Sequence, residues 1–220
     1  MEIMNWSGHK NGSMIKNKPR IGIFGGTFDP PHIGHQILGM EAYAELGLDI
    51  LYWVLAPNPP HKLGLKIAPL DLRIQMVRAA IKHDKIFDFS SADIDRPGPH
   101  YVLDTVKTFR KLHPDSELFF IMGGDSLRDL HTWHQPKEFV SECDWLGVMH
   151  RPGDRIELND IETVFPGISQ KIKFIEAPLL EISSNQIRKL ISEGKPFRYY
   201  LPPEVYKIII ENELYKKEYD

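Results

Sequence analysis

A chain of 220 residues is long enough for one large domain, which at this size buries about 70% of its unfolded surface without disulfide staples. Its 27 basic and 30 acidic side chains leave a formal charge of −3, so bulk charge points to neither nucleic acid nor a membrane surface, and anionic ligands must be met by local clusters. A single cysteine, Cys143, excludes an intramolecular disulfide framework, and no apolar run reaches the ~18 residues of a membrane span or forms a secretory leader, so a cytoplasmic enzyme is the expectation.

Residues 1–18 are polar and aperiodic and read as a disordered leader or an expression remnant ahead of a single domain over 19–220. Apolar runs bounded by turn signals then recur at Ile21–Phe24, Ile50–Leu55, Ile86–Phe89, Leu118–Met122, Trp145–Met149 and Ile172–Ile175, which suits strands buried on both faces. Between them, Ile33–Leu46, Leu70–Ile81 and Tyr101–Leu112 repeat apolar residues at three- and four-residue spacing, with Gly47 as a helix stop. Pro57 to Pro69 is a long proline-punctuated loop. The last third changes character, with Ser183–Ile191 and Pro203–Leu214 reading as consecutive helices of a C-terminal cap over about 178–216. The alternation predicts an α/β fold, a doubly wound Rossmann-like parallel sheet, whose ligands bind outside the carboxyl ends of the strands.

The motifs fall at those ends. Gly25-Gly26-Thr27-Phe28-Asp29-Pro30-Pro31-His32-Ile33-Gly34-His35 follows the first strand. Its glycines let backbone approach a ligand, and the helix that follows offers unpaired N–H groups and the positive end of its dipole to a phosphate. His32 and His35, three apart, lie on one face of the first turn. A helical metal pair is usually four apart with an acid nearby, and G-x-x-x-x-G-K-[ST] is absent, so a phosphate site with built-in imidazoles fits better than a zinc site or a P-loop. Lys62 follows the second strand on a loop stiffened by prolines. Gly123-Gly124-Asp125 follows the fourth, where Asp125 can accept from ribose hydroxyls or cap a helix. Trp133, in the polar setting His131-Thr132-Trp133-His134, can stack on a heteroaromatic ring or fill a partly buried site. Ser183, Ser184 and Arg188 bring hydroxyls, N–H groups and a guanidinium to one helix start. A site assembled from His32, His35, Lys62 and Arg188 is provisioned for charge that develops during phosphoryl-type transfer, and no serine or cysteine nucleophile with a histidine base is evident.

His32-Ile33-Gly34-His35 resembles the signature of the H-x-G-H nucleotidyltransferase superfamily. Together with Pro60-His61-Lys62, Tyr101 with Asp104-Thr105, Gly123 to Leu127 with Trp133, Arg151-Pro152, and Ile182 to Arg188 followed by Tyr200-Leu201-Pro202, the chain from about Arg20 to Tyr215 is similar to the bacterial nicotinate-nucleotide adenylyltransferases. The resemblance implies adenylyl transfer from ATP to nicotinate mononucleotide, giving deamido-NAD and pyrophosphate. It implies His32, His35, Lys62 and Arg188 as catalytic, with ATP meeting Gly25, Gly26, Thr27, Phe28, His32, His35, Gly123, Asp125, Ser184 and Arg188. The second substrate would meet Thr27, Lys62, Tyr101, Val102, Trp133 and Arg151. Mg²⁺ would bridge ATP oxygens rather than sit in a protein cage. The partners implied are these small molecules, neither nucleic acid nor membrane, and a homo-oligomer is left open. The other readings are a nicotinamide mononucleotide or pantetheine-phosphate adenylyltransferase of the same fold, or a nucleotide-binding regulator without turnover. The family usually has a hydroxyl residue where this chain has Val102 and where it has Asn185. Preference for nicotinate over nicotinamide then turns on whether main-chain N–H groups or a side-chain hydroxyl hold the carboxylate.

Overall fold

Six strands lie parallel in the order β3-β2-β1-β4-β5-β6. The structure, a computed structural model, describes residues 18–58, 67–150, 157–178 and 180–216. The strands are β1 (Arg20–Gly26), β2 (Ile50–Leu55), β3 (Phe87–Ser90), β4 (Glu117–Gly123), β5 (Trp145–His150) and β6 (Ile172–Glu176). All six predicted strands are present. The third begins one residue later than its apolar run, because Ile86 gives its carbonyl to Leu51 before the ladder starts.

Alternate residues of each strand feed two cores, as the two-residue period of a strand requires. Leu51, Trp53 and Leu55 of β2 and Phe119 and Ile121 of β4 face one side, with α1 (Ile33–Leu46), α2 (Leu70–Ile81), α7 (Ser184–Ser192) and α8 (Pro203–Glu211). Ile21 and Ile23 of β1, Val54, Leu118, Phe120 and Met122 face the other, with α3 (Val102–Leu112) and α5 (Pro136–Glu142). The helices expected from spacing are found at Ile33–Leu46 and Leu70–Ile81, and the third starts at Val102, with Tyr101 as its extended N-cap. Short α4 (Gly124–Arg128), of five residues, stands where Asp125 offers a cap but begins before it, with Gly123 as its N-cap, and two further short helices, α5 and α6 (Leu158–Val164), of seven residues each, are additional to the expected elements.

The C-terminal helices do more than close an end of the sheet. Ile187, Ile191, Val205 and Ile209 are buried in the same core as α1 and α2, so α7 and α8 complete one layer. Burial of a large aliphatic side chain is worth about 1.5–3 kcal/mol, enough to anchor helices of only nine residues each. Beyond α8 the chain returns to the carboxyl end of β1, where the Tyr215 hydroxyl reaches Asp29. Among the described residues no helix is long and apolar enough to cross a membrane.

Candidate active site

Strand order reverses between β1 and β4, whose neighbours lie on opposite sides of the sheet, and this is the switch point where such sheets bind ligands. Phe24 pairs with Ile121, so Gly26 and Gly123 stand level, each two residues further along. The chain leaving β1 turns sharply at Phe28, whose φ of 48° lies in the left-handed region that non-glycine residues rarely adopt. Its ring compensates by packing on Trp53 at 5.0 Å and edge-on to Phe24 at 5.6 Å. A Cβ on Gly26 would come within 2.8 Å of that ring, so the turn itself demands this glycine. Gly25 and Gly123 carry no such demand, with nearest neighbours at 3.8 and 4.0 Å, and their bare backbone is open to a ligand.

His32 is the N-cap of α1, in extended backbone geometry, and no acid occupies the first turn to neutralise the positive end of the helix. Its ring faces that of His35 with centroids 3.7 Å apart, and its backbone N–H donates to His35 Nδ1 at 3.1 Å. The planes are tilted by 33°, and Gly34 makes room for this close pair, since a Cβ there would lie 3.1 Å from His32 Nδ1. His32 is 6% exposed, its Nδ1 is buried with no hydrogen-bond partner among the described residues, and burial lowers its pKa to about 4, so it is a neutral imidazole at pH 7. The His35 ring rests edge-on against Phe28 at 5.2 Å.

Helix α7 meets this loop. Arg188 Nη1 donates to the Asp29 carbonyl at 2.7 Å, Ser184 Oγ donates to the Pro30 carbonyl at 2.8 Å, and Ser183 caps the helix by accepting from Gln186 N–H at 3.1 Å. Asn185 accepts from Arg188 Nη2 at 3.2 Å, so an amide at this position helps aim the guanidinium. On the neighbouring strand end, Gly123 is the N-cap of α4, and Asp125, in the first turn, is paired with Arg128 rather than acting as the cap. A second cluster forms on the other face. Tyr101 at the start of α3 stacks on His134 at 3.9 Å, beside Trp133, which is half-buried and packs on Phe139 at 5.3 Å and Phe120 at 6.2 Å. The first N–H groups of α3, at Val102 and Leu103, point out of the helix start without intrahelical acceptors.

The structure therefore pairs His32 with His35, ties Ser184 and Arg188 to the Pro30 and Asp29 carbonyls of the loop that carries Thr27, sets Gly123 and Asp125 at the end of the adjoining strand, and joins Tyr101 and Val102 to the Trp133 turn. The Phe28 side chain is 2% exposed and belongs to the core, so what this residue presents to a ligand is its backbone. Lys62 and Arg151 lie outside the described residues, as does most of the expected leader.

The cytidylyltransferase-like family model matches residues 23–190. A protein of Thermomicrobium roseum described as "Probable nicotinate-nucleotide adenylyltransferase" is 39% identical over 197 residues, 90% of this chain and 92% of that protein. One of Thermus thermophilus with the same description is 39% identical over 197 residues, 90% of this chain and all of that protein. The chain belongs to the nicotinate-nucleotide adenylyltransferase family. A nicotinic acid mononucleotide adenylyltransferase of Plasmodium falciparum, solved in complex with NaAD, superposes with a TM-score of 0.72 at 22% identity over 90% of this chain and 97% of that one, and shares its fold.

In this adenylyltransferase chain, residues absent from the expected site also shape it. Arg73, 1% exposed, spreads its guanidinium over the carbonyls of Ala68 (3.0 Å), Thr27 (3.2 Å), Ala56 (2.9 Å) and Pro57 (2.7 Å). Asp29, also 1% exposed, accepts at Oδ1 from Ala68 N–H (3.1 Å) and the Tyr215 hydroxyl (2.7 Å). Arg96 binds Asp93 at 3.2 Å and the carbonyls of Pro99 and Tyr101 at 3.0 Å each, bracing the chain into α3. Burial raises the Asp93 pKa, against the Thr105 hydroxyl bond and the charge of Arg96, which favour its ionised form.

Proposed function

We propose that this protein transfers the adenylyl group of ATP to nicotinate mononucleotide, releasing pyrophosphate and forming nicotinate adenine dinucleotide in NAD biosynthesis. The observation that carries the reading is the close His32–His35 pair at a helix N-terminus with no acid in its first turn, on a loop whose Asp29 carbonyl is held by Arg188 from α7, in a chain 39% identical to a named relative over most of its length. The phosphate oxygen of the mononucleotide attacks the α-phosphorus, the bond to the bridging oxygen of the β-phosphate breaks, and pyrophosphate leaves. Positioning and fixed donors supply the catalysis, without a covalent enzyme intermediate.

On this reading ATP lies over Gly25, Gly26 and Thr27, with His32 and His35 donating to the oxygens of the reacting phosphoryl group. Arg188 and the Ser184 end of α7 meet the outer phosphates, and Asp125, once released by Arg128, accepts from the ribose. Trp133 stacks on the pyridine, and the N–H groups at Val102 and Leu103 receive its carboxylate. That arrangement needs no side-chain hydroxyl at Val102 and favours nicotinate, an anion, over the neutral amide. Lys62 and Arg151 serve the mononucleotide phosphate. Mg²⁺ brought by the nucleotide would offset charge on the phosphates, with the protein supplying His32, His35 and Arg188 as donors beside it.

The test is a substrate panel. Purified protein with Mg²⁺ and ATP should release pyrophosphate when nicotinate mononucleotide is added and not with either nucleotide alone. Release with phosphopantetheine in its place, and none with the pyridine nucleotide, overturns the assignment.

A further inference from the structure

One residue, Ala68, is held by its backbone on both sides. Its N–H donates to the Asp29 carboxylate at 3.1 Å, and its C=O accepts from Arg73 Nε at 3.0 Å. The same guanidinium takes Thr27 O from the chain leaving β1 and Ala56 O and Pro57 O from the chain leaving β2. Three segments remote in sequence are thus tied by two buried side chains: the phosphate loop, the end of β2 and the approach to α2. A planar fork with five donors suits several carbonyls at once, which the point charge of a lysine does not. The price of burying an arginine is met partly by Asp29, whose charge opposes the downward shift that burial imposes on the Arg73 pKa. Asp29 is anchored in turn by Tyr215, whose hydroxyl pKa is raised by burial and by the charge of Asp29. The second carboxylate oxygen, Oδ2, is buried with no hydrogen-bond partner among the described residues and lies 3.7 Å from Arg188 Nη1, while that nitrogen donates to the Asp29 carbonyl.

We infer that Arg73 and Asp29 are positioning residues that hold the phosphate loop in register with the chain leaving β2 and with Arg188, so that the two substrates meet in line. Neither touches a substrate; each acts through the backbone it fixes and, for Asp29, through Arg188. The inference rests on the two-substrate reading above. It predicts a signature that simple support of the fold does not give. Misplacing reacting groups by an ångström costs about 100-fold in rate, while each substrate alone still finds its own loop.

The experiment compares wild type with Arg73→Lys and Asp29→Asn, measuring kcat, KM for both substrates, thermal midpoint, and ATP affinity by calorimetry without the second substrate. Rates are expressed per folded molecule. Arg73→Lys is expected to lower kcat about 10- to 100-fold with ATP affinity changed less than about threefold, and Asp29→Asn to move kcat in the same direction. Tyr215→Phe, which removes one oxygen, carries the test where the other two do not fold, with a loss of kcat of about two- to tenfold. Unchanged kcat per folded molecule with only a lower melting point overturns the inference, as does an ATP affinity that falls by the same factor as kcat. An inactive wild type overturns the functional reading and this inference with it; an active wild type with equally active variants overturns this inference alone.

Discussion

The backbone N–H of His32 donates to Nδ1 of His35 at 3.1 Å, while the two rings face each other at 3.7 Å. Nδ1 of His35 is therefore an acceptor, and the neutral ring carries its proton on Nε2 as a donor. A donor fixed this way costs no reorganisation when charge builds on a phosphoryl oxygen. On the proposed reading, which spreads ATP contacts over Gly25, Thr27 and Arg188 as well, His35→Ala is expected to lower kcat about 100-fold or more while ATP affinity weakens far less. Steady-state kinetics beside calorimetric ATP binding checks this, and unchanged turnover refutes the catalytic role.

Burial that lowers the His32 pKa to about 4 also makes stability depend on pH. Between about pH 6.5 and 4 the unfolded chain protonates this ring and the folded one does not, so the unfolded state binds more protons and stability falls as pH falls. Below about pH 4 both states are charged and the dependence ends. The contribution is at most about 3 kcal/mol, from 1.36 kcal/mol per pKa unit. His32→Gln should flatten the decline in melting temperature between pH 6.5 and 4 relative to wild type; parallel curves for the two proteins would show that the ring is not buried neutral.

Gly34→Ala separates packing from catalysis. Alanine is the better helix former by about 1 kcal/mol, yet its Cβ would lie 3.1 Å from His32 Nδ1 and 3.2 Å from Cε1, so the ring must shift. The expected outcome is a melting temperature within a few degrees of wild type and a kcat lowered at least tenfold. Full activity would mean that the His32–His35 pair tolerates displacement.

The strands were legible because a parallel sheet covered on both faces needs unbroken apolar runs, and β2 and β4 supply Leu51 to Leu55 and Leu118 to Met122 without a polar break. Helices α4 to α6, at five to seven residues, are too short for a 3.6-residue period to show. The site was legible where one stretch carries its own chemistry, as Gly25 to His35 does. It was not legible where the loop is held by long-range bonds: Asp29 meets Ala68 across 39 residues and Tyr215 across 186. Arg73 left one usable trace. It shares a buried helical face with Met76, Val77 and Ala80, at spacings of three, four and seven, where a charged residue is out of place unless the interior supplies its partners.

Trp133 offers a test of which substrate occupies which half of the site. One part of its ring packs on Phe139 and Phe120, and the ring stays half-buried beside the Tyr101–His134 stack. If the remaining surface receives the pyridine, Trp133→Phe keeps an aromatic filler against Phe139 but weakens the stack on the ligand. Aromatic pairs are worth about 0.5–1.5 kcal/mol beyond their buried area, so KM for nicotinate mononucleotide should rise about two- to tenfold. KM for ATP should stay within twofold of wild type, because Gly25, Arg188 and Asp125 are untouched. Equal rises in both KM values would mean that the ring serves packing alone, and a rise confined to ATP would exchange the two halves of the site.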